Sequence, residues 1–250
     1  MTETQPLTYD AAVRLSEADP AVVGLFLIGS HAMEGMTTEH SDHDLFVVTA
    51  EGATTDLKRH QGQRSATLDL NLVSFTDLRN DVLPEFVRYA LARSRVVLDR
   101  TGGELAAFLE GKQRLDPQRA FEHAAEVLDA YANSLYRSVK NHRDGHSLAG
   151  RLDAADSIGY LLELLFTLDR RPRPYNKCLE WELERHPLPG WDTPALLDTI
   201  GRILATGDTD LQRRLFAEVE PKARNAGHGK TLDDWGDDLT LMRPRVFVSR

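Results

Sequence analysis

LFLIGSHAMEGMTTEHSDHDLFVV, Leu25 to Val48, joins an apolar run to a Gly29-Ser30 turn and then sets Asp42 and Asp44 two residues apart at the mouth of a second apolar run. Read as a strand, the second run alternates faces with a period of two. Asp42 and Asp44 then project from one side, His43 and Leu45 from the other. Carboxylates held that close repel one another, and a hard divalent cation with a preference for oxygen resolves the conflict. Mg²⁺ is the expected ion.

A third acid follows in a similar setting. ATLDLNLVSF, residues 66–75, alternates so that Leu68, Leu70 and Leu72 share one face and Asp69, Asn71 and Val73 the other. A strand that apolar rarely carries an Asp without a partner. Taken singly, each feature has a plain structural reading: Asp at a strand entry, Ser capping a turn. The ordered set of a Gly-Ser turn and three acids on strands points to a site.

This arrangement resembles the DNA polymerase β-like nucleotidyltransferase superfamily, whose signature is an apolar strand, Gly-Ser, about ten residues, Asp-x-Asp, and a third carboxylate on a later strand. Gly29-Ser30, Asp42-x-Asp44 and Asp69 stand at those places. The wording GSHAMEGMTTEHSDHDL looks most like the small-molecule branch, typified by aminoglycoside and lincosamide nucleotidyltransferases, and like the minimal nucleotidyltransferases paired with helical partners. The resemblance implies transfer of a nucleoside monophosphate, AMP from ATP first among the NTPs, to a hydroxyl of a small acceptor, with release of pyrophosphate. It implies Asp42, Asp44 and Asp69 as catalytic residues and ligands of one or two Mg²⁺ ions, Asp69 serving as ligand or as base. Gly29, Ser30 and Ser41 are implied to bind the nucleotide. An aminoglycoside-like acceptor would make the protein an antibiotic-resistance enzyme.

The chain has 250 residues, 41% of them hydrophobic, enough for one large or two small cores. The organisation changes near residue 115. Before it, β-rich runs (22–28, 45–48, 66–74 and 95–98) alternate with helical stretches (9–17 and 85–92), which reads as an α/β domain with a mixed sheet over 1–114. After it, helical periodicity dominates through 117–142, 148–170, 176–186, 193–207 and 210–220, so 115–250 reads as an all-α helical bundle that closes over nucleotide and acceptor in the enzymes it resembles.

The formal charge is -9, from 39 acidic against 30 basic residues. Tracking a nucleic-acid backbone relies on Lys and Arg, so a template-directed polymerase is not expected, and an acidic surface suits a cationic acceptor. No apolar run is long enough to cross a bilayer and MTETQPLTYD lacks the features of a signal peptide, so the cytoplasm is the expected location. A lone cysteine, Cys178, is read as a packed small hydrophobe.

Further candidates come from the helical half. Lys177, after the Pro-rich RPRPYN segment, stands where a lysine reaches the triphosphate in several aminoglycoside enzymes this region resembles; Lys140 is a second such candidate. Asp153, Asp156 and Glu163 fall on roughly one helical face, where one could act as base or hold an acceptor amine; an ion pair with Arg151 or its neighbours is the structural alternative. His31, His40 and His43 invite a zinc reading, opposed by their spacing and by His43 pointing away from the two aspartates. Finally, Arg137 to His142 fits the Arg-x4-6-His pattern of the helical HEPN ribonucleases, which are often fused to minimal nucleotidyltransferases. Three alternatives thus stand: a small-molecule nucleotidyltransferase, a protein-AMPylating nucleotidyltransferase of antitoxin type, and a HEPN-like ribonuclease using Arg137 and His142.

Overall fold

In the computed structural model, which describes residues 6–245, the two apolar runs of the quoted stretch are neighbouring strands of one mixed sheet. The strands are β1 (Val22–Ile28), β2 (His43–Thr49), β3 (Gln63–Arg64), β4 (Leu68–Ser74) and β5 (Arg95–Asp99), in the spatial order β3-β4-β2-β1-β5. β2 runs antiparallel to β1 and parallel to β4, while β5 and β3 close the two edges antiparallel to β1 and β4. Helices α1 (Tyr9–Ala18), α2 (Phe75–Arg79), α3 (Arg88–Ala92) and α4 (Glu104–Gly111) complete this part of the chain.

Why β1 and β2 read as almost unbroken apolar runs follows from their place. A central strand is buried on both faces, so both parities must be hydrophobic. Leu45 and Val47 pack with Leu25, Leu27, Leu68 and Leu70 beneath Ala12 of α1. Phe46 and Val48 pack on the other face with Phe26 of β1 and with Leu78, Leu91, Leu105 and Leu109, from α2, α3 and α4. β4, one strand nearer the edge, needs only one fully apolar face, and the observed alternation of Leu68 and Leu70 with Asp69 and Asn71 is the result.

The chain divides into two compact units between Arg114 and Leu115. The second unit holds α5 (Pro117–Arg143), α6 (Ser147–Leu168), α7 (Leu179–Arg185), α8 (Thr193–Thr206), α9 (Thr209–Ala223), α10 (Gly229–Asp233) and α11 (Leu239–Met242). Asp116 caps α5 by accepting the Arg119 N–H, Pro117 fits the first turn, and Lys140, His142 and Arg143 complement the dipole at the other end. α5 and α6 form a long hairpin in which Gly150 leaves room for the His142 ring, whose Cδ2 a Cβ there would meet at 2.5 Å. Tyr131, Phe166 and Phe216 are wholly enclosed in this unit's core. Among the described residues, no helix is long and apolar enough to cross a membrane.

The structure departs from the sequence expectations at boundaries and in short elements. β2 begins two residues earlier than the apolar run, because His43 N–H donates to Thr67 O and draws the start of the strand into the ladder. Residues 85–92 form a 3₁₀ turn (Glu85–Val87) followed by α3. The expected strand 66–74 starts at Leu68, since Ser65 makes a tight turn, its hydroxyl donating to Leu68 O and accepting Leu68 N–H. α9 runs on through Pro221 in its last turn and enters a π turn, Arg224–His228, at Gly227.

Leu45 is fully enclosed at the centre of the first unit. Leu45→Ala is expected to cost about 2–5 kcal/mol, read as a lower urea midpoint by far-ultraviolet circular dichroism.

Candidate functional site

The three aspartates meet through strand register. In the parallel β2–β4 pair, Asp44 stands opposite Asp69, and in the antiparallel β1–β2 pair it stands opposite Ile28, the residue before Gly29. Directly opposed residues point to the same face of a sheet, and Asp42 shares that face because it lies two residues before Asp44. One carboxylate oxygen from each of Asp42, Asp44 and Asp69 lies within 4.8 Å of the others. All three side chains are half-buried at this end of the sheet.

Gly29 has a structural reason beyond an open approach for a ligand. Its φ is +68°, the left-handed region that glycine adopts without strain. A Cβ there would also sit 2.3 Å from Asp44 Oδ2. The absence of a side chain is therefore what gives the Asp44 carboxylate its place. Gly29 to Ala32 continue as a 3₁₀ turn that buries Ser30 at the end of β1.

The loop back to β2 is tied down by its own polar groups. Thr38 N–H donates to Ser41 Oγ at 2.9 Å, and His31 Nε2 donates to Ser41 O at 3.3 Å. The Ser41 hydroxyl thus has a turn-forming role. On the face opposite the aspartates, Tyr9, His43 and His31 stack as three rings, with centroid separations of 4.2 Å and 3.7 Å. His43 Nδ1 donates to Thr67 O. Among the described residues these histidines join no metal-ligand cluster, and His40 is exposed beside Glu39. Burial first, and then the neighbouring His31, hold the pKa of His43 below its ordinary value.

A cation would find the right chemistry here. The donor set is three carboxylates, all oxygen, which suits Mg²⁺ or a similar hard ion. Ligand oxygens around Mg²⁺ lie about 2 Å from the ion, hence about 3–4 Å from each other, a range that falls inside the 4.8 Å within which the three carboxylates converge.

Arg64 is a neighbour that sequence reading passes over. It stands opposite Asp69 in the β3–β4 pair. Two strand residues show no alternation to detect, so no sequence signal marked it.

The remaining candidates lie in the second unit and have varied surroundings. Asp153 is buried; Arg137 Nη2 lies 3.3 Å from its Oδ1, and Asn141 Nδ2 donates to its Oδ2 at 2.6 Å. The ion partner is thus Arg137, one helix away, where the sequence suggested Arg151. Glu163 pairs with His123, and Asp156 is exposed. Lys140 lies over the Tyr136 ring, and Lys177 is exposed in the 3₁₀ turn before α7. His142 packs against Gly150 and Gly207, its Nε2 enclosed without a hydrogen bond. The Arg-x4-His residues are therefore both built into the α5–α6 hairpin. Cys178 is buried.

No protein-family model matches the chain, and none of the curated proteins matches it. Among solved structures, it is similar to the crystal structure of a nucleotidyltransferase-like protein from Exiguobacterium sibiricum 255-15, at 12% identity over 91% of this chain and 76% of that one, with a TM-score of 0.43.

Two expectations follow. Gly29→Ala forces a left-handed alanine and a clash with Asp44, costing about 1–3 kcal/mol, and should weaken Mn²⁺ binding measured by electron paramagnetic resonance. His43→Phe keeps the ring stack and removes the titration. A histidine whose folded pKa is depressed contributes stability above its unfolded pKa of about 6.5 and loses it as pH falls further. The wild-type melting temperature should therefore drop more between pH 7 and pH 5 than that of His43→Phe.

Proposed function

We propose that this protein is a metal-dependent nucleotidyltransferase that moves a nucleoside monophosphate, AMP from ATP first among candidates, to the hydroxyl of a small molecule. The observation that carries the reading is the convergence of Asp42, Asp44 and Asp69 within 4.8 Å at the end of β1, next to a glycine whose missing Cβ makes room for Asp44. Two neighbouring strands of an apolar sheet present three like charges to one point. Such a cluster is costly unless an ion joins it.

In this reading, Asp42, Asp44 and Asp69 hold Mg²⁺, which supplies charge neutralisation for a triphosphate. Gly29, Ser30 and the backbone of the following turn lie along the nucleotide. The acceptor oxygen forms a bond to the α-phosphorus, the bond from that phosphorus to the α–β bridging oxygen breaks, and pyrophosphate leaves with the electron pair. The hydroxyl proton passes to a carboxylate, Asp69 when it is not a ligand, or to water. The formal charge of -9 supports a cationic acceptor of aminoglycoside type. Lys177 and Lys140 are the proposed further contacts to phosphate, and Asp156 and Glu163 the carboxylates proposed to hold acceptor amines. Asp153 is assigned a structural place instead, because Arg137 and Asn141 already occupy it. The proposed location is the cytoplasm.

Calorimetric titration of ATP and the other NTPs, with and without Mg²⁺, tests the reading. Binding that requires Mg²⁺ and falls at least about 100-fold in Asp42→Asn/Asp44→Asn is the expected result, corresponding to about 2.7 kcal/mol or more. Failure of every NTP to bind, in the presence of a panel of aminoglycosides, would overturn it.

A further inference from the structure

We propose that Arg64 is a phosphate-binding residue of the acidic site, holding the β- and γ-phosphate oxygens of the bound nucleotide while the three aspartates hold its metal. The proposal rests on the nucleotidyltransferase reading and deepens it.

Its basis is register. Arg64 is the direct partner of Asp69 in the antiparallel β3–β4 pair, and Asp69 is the direct partner of Asp44 in the parallel β2–β4 pair. Directly opposed side chains share a face. The row Arg64, Asp69, Asp44 therefore crosses three adjacent strands on the side to which the acids point. At a strand spacing of about 4.8 Å, the Arg64 backbone stands about 10 Å from that of Asp44. A long side chain covers that interval, with room for a phosphate group between guanidinium and metal.

The short strand is pinned in that position. Gln63 donates through Nε2 to Leu7 O and accepts Leu7 N–H at Oε1. Gly62 N–H donates to Leu70 O, and the Ser65 hydroxyl bridges to Leu68 on the far side. Arg64 thus sits between two anchors, its backbone fixed and its side chain exposed.

Its charge is unspent. Among the described residues Arg64 forms no ion pair, although Asp69 is directly across the ladder. Opposite charges in that relation ordinarily stabilise each other by about 0.2–1 kcal/mol. With a divalent ion among the acids, their charge is taken up and the arginine is left for a different anion. A planar guanidinium offers two parallel N–H donors to two oxygens of a phosphate, a match the point charge of lysine lacks. After transfer the same contacts neutralise the departing pyrophosphate.

Calorimetry on the full chain with ATP and Mg²⁺ tests this, comparing wild type, Arg64→Ala and Arg64→Lys, with AMP as second probe and Mn²⁺ binding by electron paramagnetic resonance as control. The expected result is a loss of ATP affinity of about 10- to 100-fold in Arg64→Ala, as for removal of a charge-assisted contact. Partial recovery is expected in Arg64→Lys, with little change for AMP and unchanged Mn²⁺ affinity. Equal ATP affinity in wild type and Arg64→Ala overturns the assignment alone and leaves Arg64 as a charge that blunts a sheet edge. Equal losses for ATP, AMP and Mn²⁺ overturn it too, because they signal a disturbed hairpin. A wild-type protein that binds no nucleotide overturns this assignment together with the nucleotidyltransferase reading.

Discussion

Seven aligned residue pairs between β2 and β4, from His43 with Leu68 to Thr49 with Ser74, govern the first unit. A parallel pairing fixes which side chains stand next to each other. Here it sets Leu45 beside Leu70 in the core and Asp44 beside Asp69 at its rim, with one register serving both. A slip of one residue would carry Asp69 into the layer under α1 and bring a leucine to the acids, since strand faces alternate. Burial of the leucines thus selects the register that collects the carboxylates. The hydrophobic effect positions groups that, by charge alone, would move apart.

Much of this was legible in the sequence because the governing features are local or periodic. The Gly29-Ser30 turn, the two-residue spacing of Asp42 and Asp44, and the alternation around Asp69 each carry their geometry in a few adjacent letters. The direction of His43 follows from the same period, and its ring does lie on the opposite face, stacked between Tyr9 and His31. β3 was not legible, since two residues have no period and their strand character comes from anchors on Leu7, Leu68 and Leu70. The steric reason for Gly29 was hidden as well. It depends on a carboxylate fifteen positions later that only folding brings to 2.3 Å from the vacant Cβ position.

The second unit shows the same division between periodic and pairwise information. Long amphipathic helices announce themselves, and α5 carries its cap, its N-terminal proline and its basic last turn in order. Which acid pairs with which base is a matter of helix rotation. Asp153 faces α5 and meets Arg137 and Asn141, four residues apart on one side of that helix, while Arg151 is turned outward. Ser138 donates to Gly150 O in the same seam, where the glycine makes room for the His142 ring. Of the two residues that resemble a ribonuclease motif as letters, His142 is packed in the seam and Arg137, exposed, reaches Asp153 across it.

The acid cluster has one more consequence, in the thermodynamics of the whole chain. Asp44 and Asp69 are separated by 24 intervening residues when unfolded and are register partners when folded. Their mutual repulsion therefore belongs to the native state alone. A cation held by the acids, as the proposed function requires, would bind the native state alone and by linkage would raise the free energy of unfolding as its concentration rises. In the proposed reading the heat resistance of the folded protein would record occupancy of the acids by a cation in the absence of any reaction.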